Sequence, residues 1–381
     1  MKIAFFTGSR SEYGLLKKLI YLTQKNKMQP SLVVTGSHLS KKYGYSKNEI
    51  VKDKIKINKV IKLNLDHDTN FTIGKAFSDL VKSLTIFFKR NKFDLIILIG
   101  DRYETLSAAI TAYIFQIPIL HIHGGEITAD SLDDNYRHCI SKLSNIHCVS
   151  HLKYKKRLQQ LGEKKQNIFI TGGLGAEAIK TQKYLKLSQL EKDLKINLKK
   201  KIILVNFYPE ISNLKKSFNN LKDLLKVLKE FRNKNILIFT LPSHDMGNNL
   251  FSLEIKKFCN KNNNSFFFKS LGQQKYLSLL KVSSLMVGNS SSGILEMPSF
   301  QRFTINIGNR QSGRVFPKSV INSSTSFLIL KNKISKYLNK KSHSMKNIYF
   351  RPGTSSKILK IIKKIKKNKI NLNKKFIDIY S

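Results

Sequence analysis

Carboxylates gather where this chain turns. Seven of its 24 acids fall within the 41 residues from Asp94 to Asp134 of a 381-residue protein, several times the density of an even spread. Three of them, Asp101, Glu126 and Asp134, stand at the ends of apolar runs or beside the turn leading to Arg137 and His138, in Ile99-Gly100-Asp101-Arg102, His121-Ile122-His123-Gly124-Gly125-Glu126 and Asp133-Asp134-Asn135-Tyr136-Arg137-His138. Carboxylates collected in one cleft can hold separated pKa values, which paired acid and base steps require. Asp94, Glu104 and Asp130 read instead as caps of helices that follow such turns.

A second set of residues suits phosphate. Only ten of the 69 basic residues are arginine, and five of these, Arg10, Arg102, Arg137, Arg310 and Arg314, lie at turns after apolar runs. A guanidinium fork matches anionic oxygens as lysine does not, so its use in a lysine-rich chain points to a phosphorylated ligand. Gly8-Ser9-Arg10-Ser11-Glu12-Tyr13-Gly14 could present free amides and a positive helix end to an anion, or be an ordinary turn, since it lacks the spacing of a dinucleotide fingerprint. Val287-Gly288-Asn289-Ser290-Ser291-Ser292-Gly293 offers amides and hydroxyls to a diphosphate, with Glu296 placed either for a pair of ribose hydroxyls or for solvent.

These turns need a scaffold of alternating strands and helices. Lys2–Thr7, Ser31–Thr35, Leu95–Ile99, Ile117–His121, His147–Ser150 and Ile168–Thr171 read as strands, separated by helical patterns such as Glu12–Thr23, Phe71–Arg90 and Thr105–Phe115. After the polar stretch Lys183–Lys201, expected to be a linker, a second series follows: Lys201–Asn206, Asn235–Thr240, Ser265–Phe268, Leu285–Gly288 and Phe303–Ile307. The fold class is α/β, with Rossmann-like domains over 1–185 and 186–365 and a basic tail over 366–381. Parallel sheets bind ligands at the carboxyl ends of their strands, which predicts an interdomain cleft as the site.

The net charge of +45 raises nucleic acid and anionic membranes as partners. Its distribution argues against both. Lysines are scattered throughout, and in the densest region, 331–381, Ile358, Ile361, Ile362 and Ile365 recur at helical spacing, so the lysines there form the solvated side of an amphipathic helix. No apolar run approaches the ~20 residues of a membrane span, and no export signal opens the chain. Cys139, Cys148 and Cys259 fit neither a disulfide framework nor zinc spacing, so a cytoplasmic setting is expected, with no metal.

Taken together, the turns at Gly8, Gly100, His121–Glu126, Arg137-His138…Lys142 and Gly288–Gly293…Glu296 resemble those of the hydrolysing UDP-N-acetylglucosamine 2-epimerases over roughly residues 1–320. The resemblance implies a GT-B-like fold, a UDP-sugar substrate, no redox cofactor and a homo-oligomer. It implies elimination of UDP across C1 and C2 to a 2-acetamidoglucal, then hydration to free N-acetylmannosamine. It assigns acid/base roles to Asp101, Glu126 and Asp134, with Asp133 the alternative to Asp134, and leaves His138 either orienting the carboxylates or packing. Nucleotide contacts fall to Arg10, Arg102, Ser290, Ser291, Glu296 and Arg310.

Two departures stand on the nucleotide side. Tyr208 occupies the place of a family histidine in Phe207-Tyr208-Pro209, and where many members have Pro-Asn ahead of an Asp-x-Gly this chain has Pro242-Ser243-His244-Asp245-Met246-Gly247. Tyrosine donates a hydrogen bond but carries no positive charge. Open alternatives are a 2,4-diacetamido-2,4,6-trideoxy UDP-sugar as substrate, the non-hydrolysing reaction, a glycosyltransferase, and a basic nucleic-acid-binding protein.

Overall fold

The computed structural model describes residues 1–41, 44–65, 69–129, 132–241, 247–341, 346–367 and 370–378. Short apolar runs become strands because both of their faces are covered. Leu95–Ile99 is five consecutive buried apolar residues, a pattern belonging to a parallel sheet with helices on either side. In Lys2–Thr7, Ile3 and Phe5 enter one core with Leu16 and Leu95, while Ala4 and Phe6 enter another with Leu80 and Ala108, as the two-residue repeat of a strand dictates.

The first sheet comprises β1 (Lys2–Thr7), β2 (Gln29–Val34), β3 (Ile57–Val60), β4 (Leu95–Ile99), β5 (Ile119–Ile122), β6 (Ile146–Val149) and β7 (Ile168–Ile170), in the order β3-β2-β1-β4-β5-β6-β7. The second comprises β8 (Lys201–Asn206), β9 (Asn235–Thr240), β10 (Ser265–Phe268), β11 (Leu285–Gly288), β12 (Phe303–Ile307) and β13 (Val320–Ser323), in the order β10-β9-β8-β11-β12-β13. The described pairings are parallel throughout. Sequence reading missed β3 and β13, both four residues long at a sheet edge and only partly buried, so neither carries a continuous apolar run.

Helices α1 (Arg10–Lys25), α2 (Lys47–Lys52), α3 (Asn70–Arg90), α4 (Tyr103–Ile114), α5 (Leu132–Leu143) and α6 (Leu152–Gln160) accompany the first sheet, and α7 (Leu174–Thr181) follows it. Helices α8 (Leu187–Leu194), α9 (Leu214–Lys229), α10 (Asn248–Lys261), α11 (Gly272–Val282), α12 (Ser292–Leu295) and α13 (Phe327–Leu338) accompany the second, and α14 (Thr354–Lys367) closes the series. None of the described helices is long and apolar enough to cross a membrane.

Two compact units result: Met1–Glu126 with Leu132–Glu177 and Tyr349–Ser381, and Ile127–Ser131 with Ala178–Ile348. This partition differs from the sequence expectation at the C-terminus, which assigns residues up to 365 to the second domain. The reason is the α14 stripe. Ile358, Leu359 and Ile362 are buried in one cluster with Leu16, Leu19 and Ile20 of α1, so the chain returns to the first unit to cover that face. Glu177 fixes the return by accepting the Ser355 amide at 2.9 Å and pairing with Lys18 at 3.0 Å. The expected linker Lys183–Lys201 is likewise structured, since α8 buries Leu190 and Leu194 in the second unit's core.

The tail is also part of the first unit. Lys374 Nζ donates to the carbonyls of Lys142 and Ser144, each at 2.6 Å, and pairs with Glu163 at 2.7 Å, capping the C-terminal end of α5. Phe376 lies against Gly162, and the Ile377 amide donates to the Gly162 carbonyl at 3.1 Å. A cavity of about 400 Å³ opens beneath this segment, lined by Asn145, Glu163, Lys364, Ile365 and Lys374, and none of the expected site residues lines it.

In each sheet the strand order reverses beside the first strand, between β1 and β4 and between β8 and β11. Doubly wound sheets open a crevice at such a point, outside the carboxyl ends of the strands. Gly8 and Gly100 leave the first pair, and Phe207 and Asn289 leave the second.

The return of α14 is testable. Ile362→Ala removes a fully buried side chain and is expected to cost about 2–5 kcal/mol, whereas Lys363→Ala, on the solvated side, should stay within about 0.5 kcal/mol. Denaturant unfolding followed by circular dichroism measures both; equal effects would refute the assignment of the two faces.

Candidate functional site

In the first unit the turn after β1 begins α1 with Ser9 as its cap. Glu12 reaches back, accepting the amides of Gly8 at 2.6 Å and Ser9 at 3.1 Å. The protein's own carboxylate therefore occupies the amides that the sequence seemed to offer an anion. Burial pushes Glu12 up to about 8, Arg102 opposing the shift and Glu104 and Asp101 adding to it. Arg10, the first residue of α1, remains half-buried at this turn.

The carboxylates converge on a buried cation. In α5, Asp134, Arg137 and His138 share one face through i, i+3 and i+4 spacing. Arg137 is 1% exposed, donates from Nη1 to Asp134 Oδ1 at 2.7 Å and to the Glu126 carbonyl at 3.0 Å, and pairs through Nη2 with Asp101 Oδ2. The Asp101 and Asp134 side chains keep 27% and 22% of their surface exposed. The guanidinium is thus a floor beneath two carboxylates that reach solvent. The sequence reading places Arg137 among the ligand contacts; in the structure its guanidinium is buried against Asp101, Asp134 and the Glu126 carbonyl.

Asp101 sits where it does because Gly100 adopts φ +82°, a left-handed conformation open to glycine, and because His121 holds the Gly100 carbonyl. That carbonyl can only accept, so at 2.8 Å His121 Nε2 carries the proton, and Nδ1 accepts from Ser141 Oγ at 3.1 Å. Burial lowers the imidazole to about 3, leaving it neutral. Glu126, 2% exposed, receives His123 Nδ1 at 2.9 Å and Ser150 Oγ at 3.1 Å, both on Oε1. Neither His123 nor Ser150 was singled out from sequence; His123 stood inside the quoted motif, but Ser150 meets Glu126 only through the pairing of β5 with β6.

The remaining sequence candidates divide. His138 Nε2 lies 3.5 Å from Asp134 Oδ2, close enough to orient it. Arg102 was assigned to nucleotide, but its Nε and Nη2 engage both oxygens of Glu104 at 3.0 and 3.2 Å. Burial opposes the Arg102 charge, and Glu104, Asp133 and Glu12 more than offset it. Asp133 therefore faces Arg102 whereas Asp134 joins Arg137. Glu104 lies in the first turn of α4 but binds Arg102, and Asp94 caps no helix: it accepts the Lys2 amide at 2.6 Å. Asp130 falls outside the described residues.

The second unit builds its crevice differently. Gly288 has φ +138°, and a Cβ there would run into the Asn206 carbonyl of the neighbouring strand. Asn289, fully buried, clamps the Tyr208 backbone by accepting its amide at 2.7 Å and donating to its carbonyl at 2.8 Å. Gln311 donates to the Asn289 carbonyl at 2.9 Å, fixing the next loop. Ser290 and Ser291 stand at the start of α12, a single turn too short for a full dipole, so any cradle there relies on hydroxyls and loop amides.

Glu296 is raised above the usual carboxylate range by burial, against a hydrogen bond from Ser292, and its Oε2 has no hydrogen-bond partner among the described residues. Such an acceptor suits ligand hydroxyls. Arg310 lies over the Tyr208 ring at 5.1 Å, bringing a positive charge to the place where Tyr208 has none. Glu210, missed from sequence, accepts the Asn309 amide at 3.0 Å and the Arg310 amide at 3.2 Å. Arg314 Nη2 donates to Thr128 Oγ1 at 3.2 Å. Ser243 and His244 lie outside the described residues. No group of three or more His, Cys, Asp or Glu side chains among the described residues could hold a metal ion.

A neutral His121 has a consequence for stability. Below its ordinary value of 6.5 the unfolded chain takes up a proton that the folded protein refuses until about pH 3, so this contribution is whole above pH 6.5 and lost as pH falls. His121→Gln should make stability between pH 6.5 and 4 less steep by up to about 1.4 kcal/mol per pH unit, read from denaturant midpoints. An unchanged slope would contradict the neutral ring.

The chain is similar to known proteins over most of its length. A family model described as UDP-N-acetylglucosamine 2-epimerase matches residues 21–363. A Campylobacter jejuni protein named GDP/UDP-N,N'-diacetylbacillosamine 2-epimerase (hydrolyzing) is 39% identical over 324 residues, 84% of each chain. A Legionella pneumophila UDP-N,N'-diacetylbacillosamine 2-epimerase (hydrolyzing) is 32% identical over 98% of each. The solved UDP-GlcNAc 2-epimerase of Methanocaldococcus jannaschii, in complex with UDP-GlcNAc and UDP, is similar in fold at TM-score 0.81 and 18% identity, covering 96% of this chain and 100% of that one. The fold is of the GT-B-like class, with two Rossmann-type domains. On this match the chain belongs to the UDP-N-acetylglucosamine 2-epimerase family.

Proposed function

We propose that this protein is a hydrolysing 2-epimerase that releases UDP and a free 2-acetamido sugar from a UDP-sugar. The observation that carries the reading is the buried Arg137 between Asp101 and Asp134, with Glu126 beside it. The hydrogen on C2 of a 2-acetamido sugar is weakly acidic, so its removal needs a carboxylate held in place, and departure of the diphosphate needs electrostatic support. A carboxylate takes the C2 proton, the C–H electron pair forms the C1=C2 bond, and the C1–O bond breaks to release UDP. Water then gives its oxygen to C1 while a proton returns to C2 on the opposite face.

Asp101, Glu126 and Asp134 supply these proton transfers in this reading, with His138 orienting Asp134. Ser290, Ser291 and the Arg310–Tyr208 pair meet the diphosphate and Glu296 the ribose, with Arg10 and Arg314 as further anion contacts. For the sugar, the relatives at 39% and 32% identity favour the 2,4-diacetamido-2,4,6-trideoxy substrate that their names carry. UDP-N-acetylglucosamine, giving N-acetylmannosamine, is the second reading, favoured by the family description.

Both UDP-sugars should be supplied and released UDP measured, with proton NMR identifying the sugar. The diacetamido substrate is expected to have the higher kcat/KM by about tenfold or more; the reverse order selects N-acetylglucosamine, and a product still joined to UDP refutes the hydrolysing reaction. Asp101→Asn and Glu126→Gln are each expected to lower kcat by at least about 100-fold with UDP binding retained. Glu296→Gln should instead weaken UDP binding, measured by calorimetry, by about tenfold; unchanged affinity would remove Glu296 from the nucleotide site.

A further inference from the structure

His123 follows β5 in a conformation that only its setting explains. Its φ is +69°, a left-handed backbone that costs a non-glycine residue about 1 kcal/mol or more. Its side chain is 13% exposed, and its Nε2 is buried with no hydrogen-bond partner among the described residues, a second cost. Against these stands one polar contact of the ring, Nδ1 to Glu126 Oε1 at 2.9 Å. A carboxylate only accepts, so Nδ1 carries the proton. The backbone is held in register on both sides of this contact, because the His123 amide donates to the Cys148 carbonyl at 3.1 Å and Arg157 Nη1 donates to the Gly125 carbonyl at 3.0 Å.

We propose that His123 is a positioning residue for Glu126, whose carboxylate it both aims and keeps ionised so that it can accept a proton from the sugar. The inference rests on the epimerase reading above and adds a residue to it. The charged and titratable groups around Glu126 are Arg137 and Asp134 from α5, Arg157 from α6, and Asp101 after β4, while Ser150 after β6 donates to the same oxygen as His123. Arg137 Nη1 donates to the Glu126 carbonyl and to Asp134, and the ring donor aimed at Oε1 from Glu126's own loop is His123. A hydrogen bond to the ionised form favours that form; deleting it makes protonation easier and moves the acid limb of the pH–rate profile to higher pH.

Two variants separate aim from fold. His123→Gly removes the donor while relaxing the left-handed backbone; His123→Asn keeps an N–H near the Nδ1 position and tolerates positive φ better than most residues. With the UDP-sugar that the wild-type enzyme turns over, His123→Gly is expected to lower kcat by about 100-fold and to move the acid limb of kcat/KM up by about one pH unit, leaving KM within about threefold. His123→Asn should recover at least about tenfold of that kcat and return the limb toward its wild-type position. Thermal melting checks that both variants are folded. A folded His123→Gly with wild-type kcat and an unmoved limb overturns the positioning role while leaving the epimerase reading intact. Wild-type protein that releases no UDP from either sugar overturns both.

Discussion

One buried guanidinium organises the first unit's site. A cation taken out of water is tolerable only when its donors meet acceptors of good geometry. Asp134, Asp101 and the Glu126 carbonyl meet that need, which fixes three segments distant in sequence to one point. Removing such a cation would leave two carboxylates facing each other without compensation, so the site's geometry and the local stability are one property. The rest follows outward from this point. His121 holds the glycine turn that aims Asp101, Glu104 occupies Arg102, and Lys374 caps the far end of the helix that bears Asp134 and Arg137.

The two units repeat one topology and fill its crevice with opposite chemistry. In the first, acids surround a cation and amides at the α1 end are taken by Glu12. In the second, neutral amides do the positioning: Asn289 and Gln311 lock two loops together, beside Arg310 over the Tyr208 ring and a Glu296 oxygen that has no hydrogen-bond partner among the described residues. The Arg310–Tyr208 contact shows how a charge absent from one side chain can be restored by a neighbour.

The large positive charge has little to do with this chemistry. On α14 the lysines flank a stripe in which Ile358 and Ile362 are buried and Ile361 and Ile365 partly buried, and Lys374 is spent on helix carbonyls and on Glu163. Charge here is mainly a property of the solvated surface, and arginine, being rare, marks the positions where a fork of donors was needed.

By itself the sequence determined the α/β alternation, eleven of the strands to within two residues at either end, and the turns where carboxylates and arginines collect, because continuous apolar runs and glycine turns are local signals. It also determined the family, since the order and spacing of those turns is a linear pattern. Only the tertiary structure decided the rest. That Arg137 points inward, that Arg102 answers Glu104, and that Glu12 fills the amides of its own helix end are matters of side-chain direction, which spacing does not encode. The return of Tyr349–Ser381 to the first unit, and the meeting of His123 and Ser150 on Glu126, depend on which surfaces find partners across long separations. The physical reason is common to all of these: burial demands that each charge and each apolar face be matched, and the match is made in space.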